Sequence, residues 1–321
     1  MEEAVPAPWL LKIYNVDYLP RYENEYKAVK PMMRAGFILL LCFWCFSASA
    51  QRRVNAEMDS VYVDSIQNFE IQLEGLSNNI INGTDKVERI TSCFYFVQTL
   101  KEALKVPNSF DYDFSSLKTV SAIRPDDNKF RIFTWNLLLD SGRYMYFGAI
   151  QMNSNDSLVL FGLYDSSDYN RDITYGEFDN RHWMGALYYQ IHHYVWKKKD
   201  YYLTFGWDGQ DDKTNRKIID VLWFDENNRP HFGNEIFNLD GDLVSRLIFD
   251  FSDNTSMLCR YDSDLDAVVF AHLVPLNPLL VGRYENYVPD GTYDMLKFEK
   301  GTWRRYEMKL DPKHAGDLRR F

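Results

Sequence analysis

The chain is poor in cysteine, and this limits the classes of fold that it can adopt. Of its four cysteines, Cys42 and Cys45 lie inside an apolar run near the N-terminus, which leaves Cys93 and Cys259 in the rest of the chain. Small secreted domains that are held together by disulfides need many more cysteines than two. The sequence therefore excludes a disulfide-dense scaffold and predicts two buried thiols.

An excess of positive charge is also lacking. The formal net charge is -10, and residues 1–50 contribute none of it, because their five basic and five acidic side chains cancel. These are Lys12, Arg21, Lys27, Lys30 and Arg34 against Glu2, Glu3, Asp17, Glu23 and Glu25. A protein that binds nucleic acid neutralises phosphates with a basic surface. The sequence therefore predicts no nucleic-acid partner.

The short motifs of common catalytic and cofactor sites are missing. The chain has no G-x-S-x-G, no G-x-x-x-x-G-K, no G-x-G-x-x-G and no H-E-x-x-H. Hydrolases and nucleotide-binding proteins with those signatures are excluded. His192 and His193 are neighbours in a predicted strand, so they point to opposite faces and do not converge on one metal ion. The sequence predicts no cofactor, no metal ion and no catalytic residue.

The apolar run near the N-terminus is too short for a membrane anchor, which needs about 20 apolar residues. It extends from Ala35 to Phe46, after the positively charged Met32-Met33-Arg34 and before the small residues Ser47-Ala48-Ser49-Ala50. This order is typical of a secretory signal peptide. We therefore expect a signal peptide at 32–50, with cleavage before Gln51 and no stable membrane span afterwards.

A signal peptide at 32–50 has consequences for both of its neighbours. Because a secretion signal does not tolerate a long polar segment in front of it, residues 1–31 are interpreted as a non-native N-terminal extension. The mature protein is expected to be exported, and to be periplasmic, associated with the outer membrane or extracellular.

Residues 51–107 carry the periodicity of two helices. From about Asn55 to Leu76, apolar side chains recur in steps of three and four, which places them on one helical face. The polar stretch from Asn78-Asn79 to Asn82-Gly83 is expected to break this helix. A second helix begins near Thr84-Asp85, where either side chain can cap free amides, and ends before Pro107. The sequence predicts a helical hairpin that packs on a sheet, followed by a connector at 108–127.

The aromatic fraction of 16% favours strands in the remainder of the chain. Residues 128–310 are predicted to form one antiparallel β domain, with a tail at 311–321. The fold class is mainly β: an antiparallel meander curled into a sandwich or partial barrel, with a propeller as the alternative. The predicted strands lie near 130–139, 143–152, 157–164, 184–196, 200–207, 217–224, 244–251, 256–262, 266–273, 291–299 and 302–310.

Three stretches together carry a resemblance to a known group of proteins. They are the signal peptide that ends Ser47-Ala48-Ser49-Ala50-Gln51, the strand Phe130-Arg131-Ile132-Phe133-Thr134-Trp135, and Phe205-Gly206-Trp207-Asp208-Gly209. With the helical hairpin between them, the chain resembles uncharacterised exported β-rich proteins of Bacteroidota over most of its mature length. The resemblance implies export and a β-rich fold, and it implies no activity.

One acidic loop is the candidate ligand site. Asp208, Asp211 and Asp212 follow Trp207, and an aromatic ring beside carboxylates suits a sugar, whose apolar face packs on the ring while its hydroxyls bind the carboxylates. Acidic turns also follow other aromatic strands of this chain, so a solvated hairpin loop is the alternative. Separately, Asp156-Ser157-Leu158 resembles a short O-glycosylation site, with Ser157 as the acceptor.

These observations favour a non-catalytic, exported binding or envelope-associated protein. Its expected partner is a glycan or a protein of the cell envelope. The alternative is an extracellular glycan-active enzyme that uses the acidic loop residues, which would need two carboxylates about 5 to 10 Å apart across a cleft.

Overall fold

The computed structural model describes residues 60–139, 142–154 and 157–308. The predicted extension at 1–31, the signal peptide with its cleavage site before Gln51, and the tail at 311–321 lie outside the described residues. The described residues from Val61 to Met308 belong to one compact unit.

Strands dominate the described residues, and two helices precede them, which confirms the prediction of a mainly β, antiparallel protein with an N-terminal helical pair. The helices are α1 Ser60–Asn82 and α2 Lys86–Leu104. The strands are β1 Ser121–Ile123, β2 Phe130–Leu138, β3 Tyr144–Met152, β4 Leu160–Tyr164, β5 Phe178–Asp179, β6 Leu187–Trp196, β7 Lys199–Asp208, β8 Thr214–Phe224, β9 Pro230–Phe232, β10 Phe237–Leu239, β11 Asp242–Val244, β12 Leu247–Ser252, β13 Cys259–Asp262, β14 Ala267–Pro275, β15 Tyr287–Glu299 and β16 Thr302–Met308.

The helix ends follow from local hydrogen bonding. Asp85 is the N-cap of α2, where its carboxylate accepts from the N–H of Glu88 at 2.9 Å, and the Glu88 carboxylate accepts from the N–H of Thr84 at 2.9 Å. This reciprocal pair satisfies amides that a helix start leaves free. Helix α1 continues past Leu76 because Ile80 is buried and extends the stripe of Leu73.

The strands form three sheets. The first has the order β1-β2-β3-β4, the central one β5-β9-β8-β7-β6 with β12 also paired to β8, and the third β11-β10-β16-β15-β14-β13. Neighbouring strands are antiparallel except for β10 and β16, which pair in parallel. The chain thus leaves the central sheet after β9, returns to it for β12, and then completes the third sheet.

The central sheet is buried on both faces. On one face Tyr202, Ile218 and Leu222 share a core with Phe130 and Ile150 of the first sheet. The other face packs against the third sheet, and its core includes Leu203, Phe205, Ile219, Val221, Val268, Leu296 and Trp303. Because successive side chains of β7 and β8 point to opposite faces, these two strands contribute residues to both cores.

The outer face of the first sheet receives the helical segment. Phe96 of α2 meets Trp135 of β2 edge to face, with ring centroids 4.9 Å apart, and Trp135 donates to the sulfur of Cys93 at 3.5 Å. Burial raises the pKa of the Cys93 thiol to about 12. Cys93 and Cys259 are both buried and unpaired with each other, as the sequence predicted.

The predicted connector is held in place by a buried cation. Arg131 of β2 is 1% exposed and donates to the carbonyl of Ser109 at 2.9 Å and to the Gln151 side chain at 2.6 Å. Its guanidinium lies 5.0 Å from the ring centroid of Phe114. Within the predicted connector the structure adds the short strand β1, which pairs with β2.

Candidate functional site

Of the predicted site residues, Trp207 and Asp208 lie at the end of β7 and contact neighbouring tyrosines of β3. Trp207 is half-buried and packs edge to face on Tyr144, with centroids 6.0 Å apart. Asp208 is buried and accepts a hydrogen bond from the hydroxyl of Tyr146, which itself accepts from the N–H of Gly209 at 2.7 Å. Burial raises the pKa of Asp208 to about 6.

Asp211 and Asp212 lie in the loop between β7 and β8. Both are exposed, and one oxygen of Asp211 accepts from the N–H groups of Lys213 and Thr214, each at 2.8 Å. Asp211 therefore shapes the turn. None of the four predicted residues lines the two cavities of about 570 and 290 Å³.

The predicted glycosylation site is accessible. Ser157 is exposed in the loop between β3 and β4, while its neighbour Asp156 lies outside the described residues. An exposed hydroxyl in a loop can be reached by a modifying enzyme, and glycosylation of Ser157 stays a prediction.

A cavity of about 570 Å³ lies at the opposite end of β7 from Trp207. Lys129 of the loop before β2 and Met152 of β3 contribute to it, and the other lining residues come from β7, β8 and the turn after β8. They are Lys199, Asp200, Tyr201, Tyr202, Trp223, Phe224, Asp225, Glu226 and Asn228. Its volume falls in the range of about 300 to 1,000 Å³ that is common for small-molecule sites.

The β6–β7 hairpin places the polar side chains of this region. Its two-residue turn consists of Lys197 at φ 48° and Lys198 at φ 65°, the left-handed pair of a tight hairpin turn. The register pairs His193 with Tyr202. Since alternate residues share a face, Asp200 lies on the same side of the hairpin as those two residues.

A polar cluster forms where this face meets the loop before β2. Nε2 of His193 lies 2.8 Å from Oδ1 of Asp200 and 3.5 Å from Oδ2 of Asp127. Nζ of Lys129 lies 2.6 Å from Oδ2 of Asp200, and the hydroxyl of Tyr202 donates to Oδ2 of Asp127 at 2.8 Å. We call Asp127, Lys129, His193, Asp200 and Tyr202 the hairpin cluster.

The charges of the hairpin cluster stabilise one another. The hydrogen bond to Asp200 raises the pKa of Lys129. Burial acts to raise the pKa of Asp200, but the hydrogen bonds from Lys129 and His193 outweigh it, and the pKa is lowered. Burial and the bond to Asp127 raise the pKa of Tyr202. At neutral pH the Asp200 carboxylate is therefore held as an anion beside the Lys129 cation.

The other wall of the cavity is aromatic and also firmly held. Trp223 stacks on His231 with centroids 4.5 Å apart and donates to the carbonyl of Gly233 at 3.1 Å. One oxygen of Asp225 accepts from the N–H groups of Asn227 and Arg229, each at 2.8 Å. The Asp225 carboxylate thus stabilises its own turn, whereas the Glu226 side chain is exposed at the rim of the cavity.

His192 and His193 lie on opposite faces, as predicted, and have different environments. His192 stacks on Tyr261 of the third sheet at 3.4 Å between centroids, and burial lowers its pKa to about 4. His193 stacks on Tyr202 at 5.0 Å and faces the carboxylates of the hairpin cluster. The sequence predicted the opposite faces but not the two environments, because these depend on which sheet packs against each face.

A second cavity of about 290 Å³ lies between β12 and the third sheet. Its charged lining groups are paired with each other or with buried partners: Arg305 binds Asp294 at 2.8 Å, and Arg246 binds Asp220 at 3.0 Å. Most of the remaining lining is apolar and includes Phe249 and Phe270. This cavity offers few polar groups to a ligand.

Comparisons of the chain with protein-family models, with curated proteins and with solved structures found no significant match. Neither α1 nor α2, the helices of the described residues, combines the length and apolar character needed to cross a membrane.

Proposed function

We propose that this chain is an exported, non-catalytic binding protein that takes a glycan into the cavity lined by β7 and β8. The supporting observation is the lining itself, which combines Tyr201, Trp223 and Phe224 with charged groups. Aromatic side chains pack on the apolar faces of sugars, and carboxylates and ammonium groups bind hydroxyls. This is the combination that the sequence suggested around Trp207, found in three dimensions at the other end of β7.

The state of the carboxylates favours binding over catalysis. A glycosidase needs one carboxyl group with a raised pKa as acid and a second carboxylate across the sugar. Asp200 has a lowered pKa and is paired with Lys129, and Asp225 has a lowered pKa and is tied to its turn. Burial raises the pKa of Asp208 and of Asp165, and neither residue lines this cavity.

Export and the link to Bacteroidota enter the proposal from the sequence. The segment 32–50 has the order of a signal peptide, and Phe205-Gly206-Trp207-Asp208-Gly209 belongs to the resemblance. An exported glycan-binding protein would act in the periplasm, at the outer membrane or outside the cell.

A thermal-shift screen of the full chain with soluble glycans tests the proposal. A ligand that binds the folded state alone raises its stability by about 2.7 kcal/mol when present at 100 times its Kd. The shift should shrink in Glu226→Gln and Trp223→Ala and persist in Trp207→Ala, a tryptophan variant remote from the cavity. Because Trp223 also supports the fold, Glu226→Gln at the exposed rim is the decisive variant.

Chromatography of each glycan after incubation separates the two functions. The binding proposal expects intact glycan. Hydrolysis that disappears in Asp208→Asn would support the alternative, an extracellular glycan-active enzyme, and a screen with no shift for any glycan would contradict the proposed ligand class.

A further inference from the structure

Three side chains of the hairpin cluster present ligand atoms of the kind that metal ions bind. Asp127, His193 and Asp200 each offer one atom, and these atoms all lie within 4.8 Å of one another. The two distances from the His193 nitrogen, 2.8 Å to Asp200 and 3.5 Å to Asp127, bracket the separation of about 3.3 Å between ligands in a tetrahedral site with bonds of about 2.0 Å. Small side-chain adjustments would place one ion between them.

The arrangement of His193 differs from that of the other histidines with carboxylate neighbours among the described residues. Its single nitrogen Nε2 faces two carboxylates, although one proton on that nitrogen can serve only one of them well. His182 and His272 each have one carboxylate partner, and the two partners of His231 approach different ring nitrogens. Two oxygens and one nitrogen that converge in this way suit a divalent cation.

We propose that Asp127, His193 and Asp200 bind one divalent transition-metal ion, for which Zn²⁺ is the matching probe. Two carboxylates balance its charge, and an imidazole ligand disfavours Mg²⁺ and Ca²⁺, which prefer oxygen. Asp200 also lines the cavity of about 570 Å³, so the fourth coordination position is available to water or to a ligand group from that side.

The neighbouring residues would act as an outer shell. Tyr202 donates to Asp127 at 2.8 Å, and Lys129 binds Oδ2 of Asp200, leaving Oδ1 on the side of His193. Such hydrogen bonds orient metal-binding carboxylates. The side chains of Asp127 and His193 are 15% and 18% exposed, which limits screening by water.

Lys129 also gives the proposal its sharpest test. Its ammonium group neutralises the same two carboxylates, at 2.6 Å and 3.4 Å, so it competes with a metal ion for them. Removing this charge should tighten metal binding by about tenfold or more, since like charges a few ångströms apart repel strongly in a partly buried site. If the cluster served as an ion-pair network alone, the same substitution would only destabilise it.

Calorimetric titration of the chelator-treated full chain with Zn²⁺, without glycan, measures the site. We expect one ion per chain, with micromolar or tighter affinity, that Mg²⁺ does not displace. Affinity should fall by about a hundredfold or more in His193→Gln and Asp127→Asn, rise in Lys129→Met, and stay unchanged in His272→Ala, a matched histidine that pairs with one carboxylate.

Absence of Zn²⁺ binding, or equal affinity in native protein and Asp127→Asn, would overturn the proposal. Asp127→Asn keeps an oxygen that accepts from Tyr202, so it remains informative if His193→Gln fails to fold. The metal titration and the glycan screen are independent, so metal binding without a glycan shift would contradict the proposed function alone.

Discussion

Nε of Arg246 and Oδ2 of Asp220 lie 3.0 Å apart, and both side chains are completely buried. The same guanidinium donates to the carbonyls of Gly176 at 2.9 Å and Phe232 at 3.2 Å. One buried cation thus joins β8, the end of β9 and the loop before β5, next to the strand β12 that crosses back into the central sheet.

Arg246→Met is expected to lower the free energy of unfolding by about 3 to 5 kcal/mol, because it leaves Asp220 as an uncompensated buried charge. Urea denaturation at pH 7 measures the loss, with the exposed Arg229→Met as the control. The double variant Asp220→Leu/Arg246→Met should lose less than Arg246→Met. A single-variant loss below about 1 kcal/mol would contradict the assigned role.

Asp208 should make stability depend on pH. Its folded pKa of about 6 exceeds the ordinary 3.8, so the unfolded state ionises first as pH rises and stability falls between about pH 4 and pH 6. Asp208→Asn should remove this fall and stabilise the protein at pH 7 by about 1 to 3 kcal/mol. Asp211, whose pKa is lowered, is the opposite case: Asp211→Asn should destabilise at neutral pH.

Urea denaturation of both variants at pH 4, 5, 6 and 7 measures how the free energy of unfolding changes with pH. If Asp208→Asn keeps the same slope with pH as the native chain, then Asp208 is not the group responsible.

The hairpin turn carries strain that glycine would relieve. Lys197 and Lys198 both have positive φ, a conformation that costs a non-glycine residue about 1 kcal/mol. Replacing them with Asn-Gly should raise stability by about 1 kcal/mol. Lys199→Gly, which lies within β7, should instead lower it. Thermal unfolding compares the native chain, the Asn-Gly variant and Lys199→Gly. Equal melting temperatures would show that the turn is not strained.

The β domain is expected to depend on the helical segment for its stability. Deletion of residues 51–107 would expose the face of the first sheet that Trp135 occupies, and large exposed apolar patches drive aggregation. Light scattering after expression measures this, with deletion of residues 1–50 as the control. A truncated chain that stays monomeric and equally stable would show that the helices are an independent module.

Processing at Ala50 is the prediction for the N-terminus. Protein recovered from the native host is expected to begin at Gln51, which intact-mass analysis or N-terminal sequencing reads directly. Recovery of a chain that retains residues 1–50 would exclude both the signal peptide and the export that the proposed function assumes.

The sequence predicted the long strands because their aromatic and β-branched runs end at turn residues. It did not predict β5, β9, β10 and β11, since two or three residues are too few to show alternation. Two of them, β5 and β10, pair with a strand far along the chain. Phe237, for example, pairs with Trp303.

The candidate cavity could not be predicted from the sequence, because its lining residues come from distant parts of the chain. Trp207 and Asp208 lie at one end of β7, whereas Asp200 and Tyr201, which line the cavity, lie at the other end of the same strand. Asp127, His193 and Asp200 carry no recognisable spacing, and they meet because a hairpin and the loop before another sheet converge. Only the pairing of β6 with β7 could have indicated that His193 and Asp200 share a face.

The parallel pairing of β10 with β16 has a consequence for the order of folding. The N–H of Trp303 bonds to the carbonyl of Ile236 at 2.7 Å, so β10 gains its inner neighbour only when nearly the whole chain is present. A chain still emerging from the ribosome exposes the apolar side of the third sheet and cannot complete it, since pairing over such long separations is slow. Completion of the third sheet is therefore expected only after Trp303 has been synthesised and β16 can pair with β10.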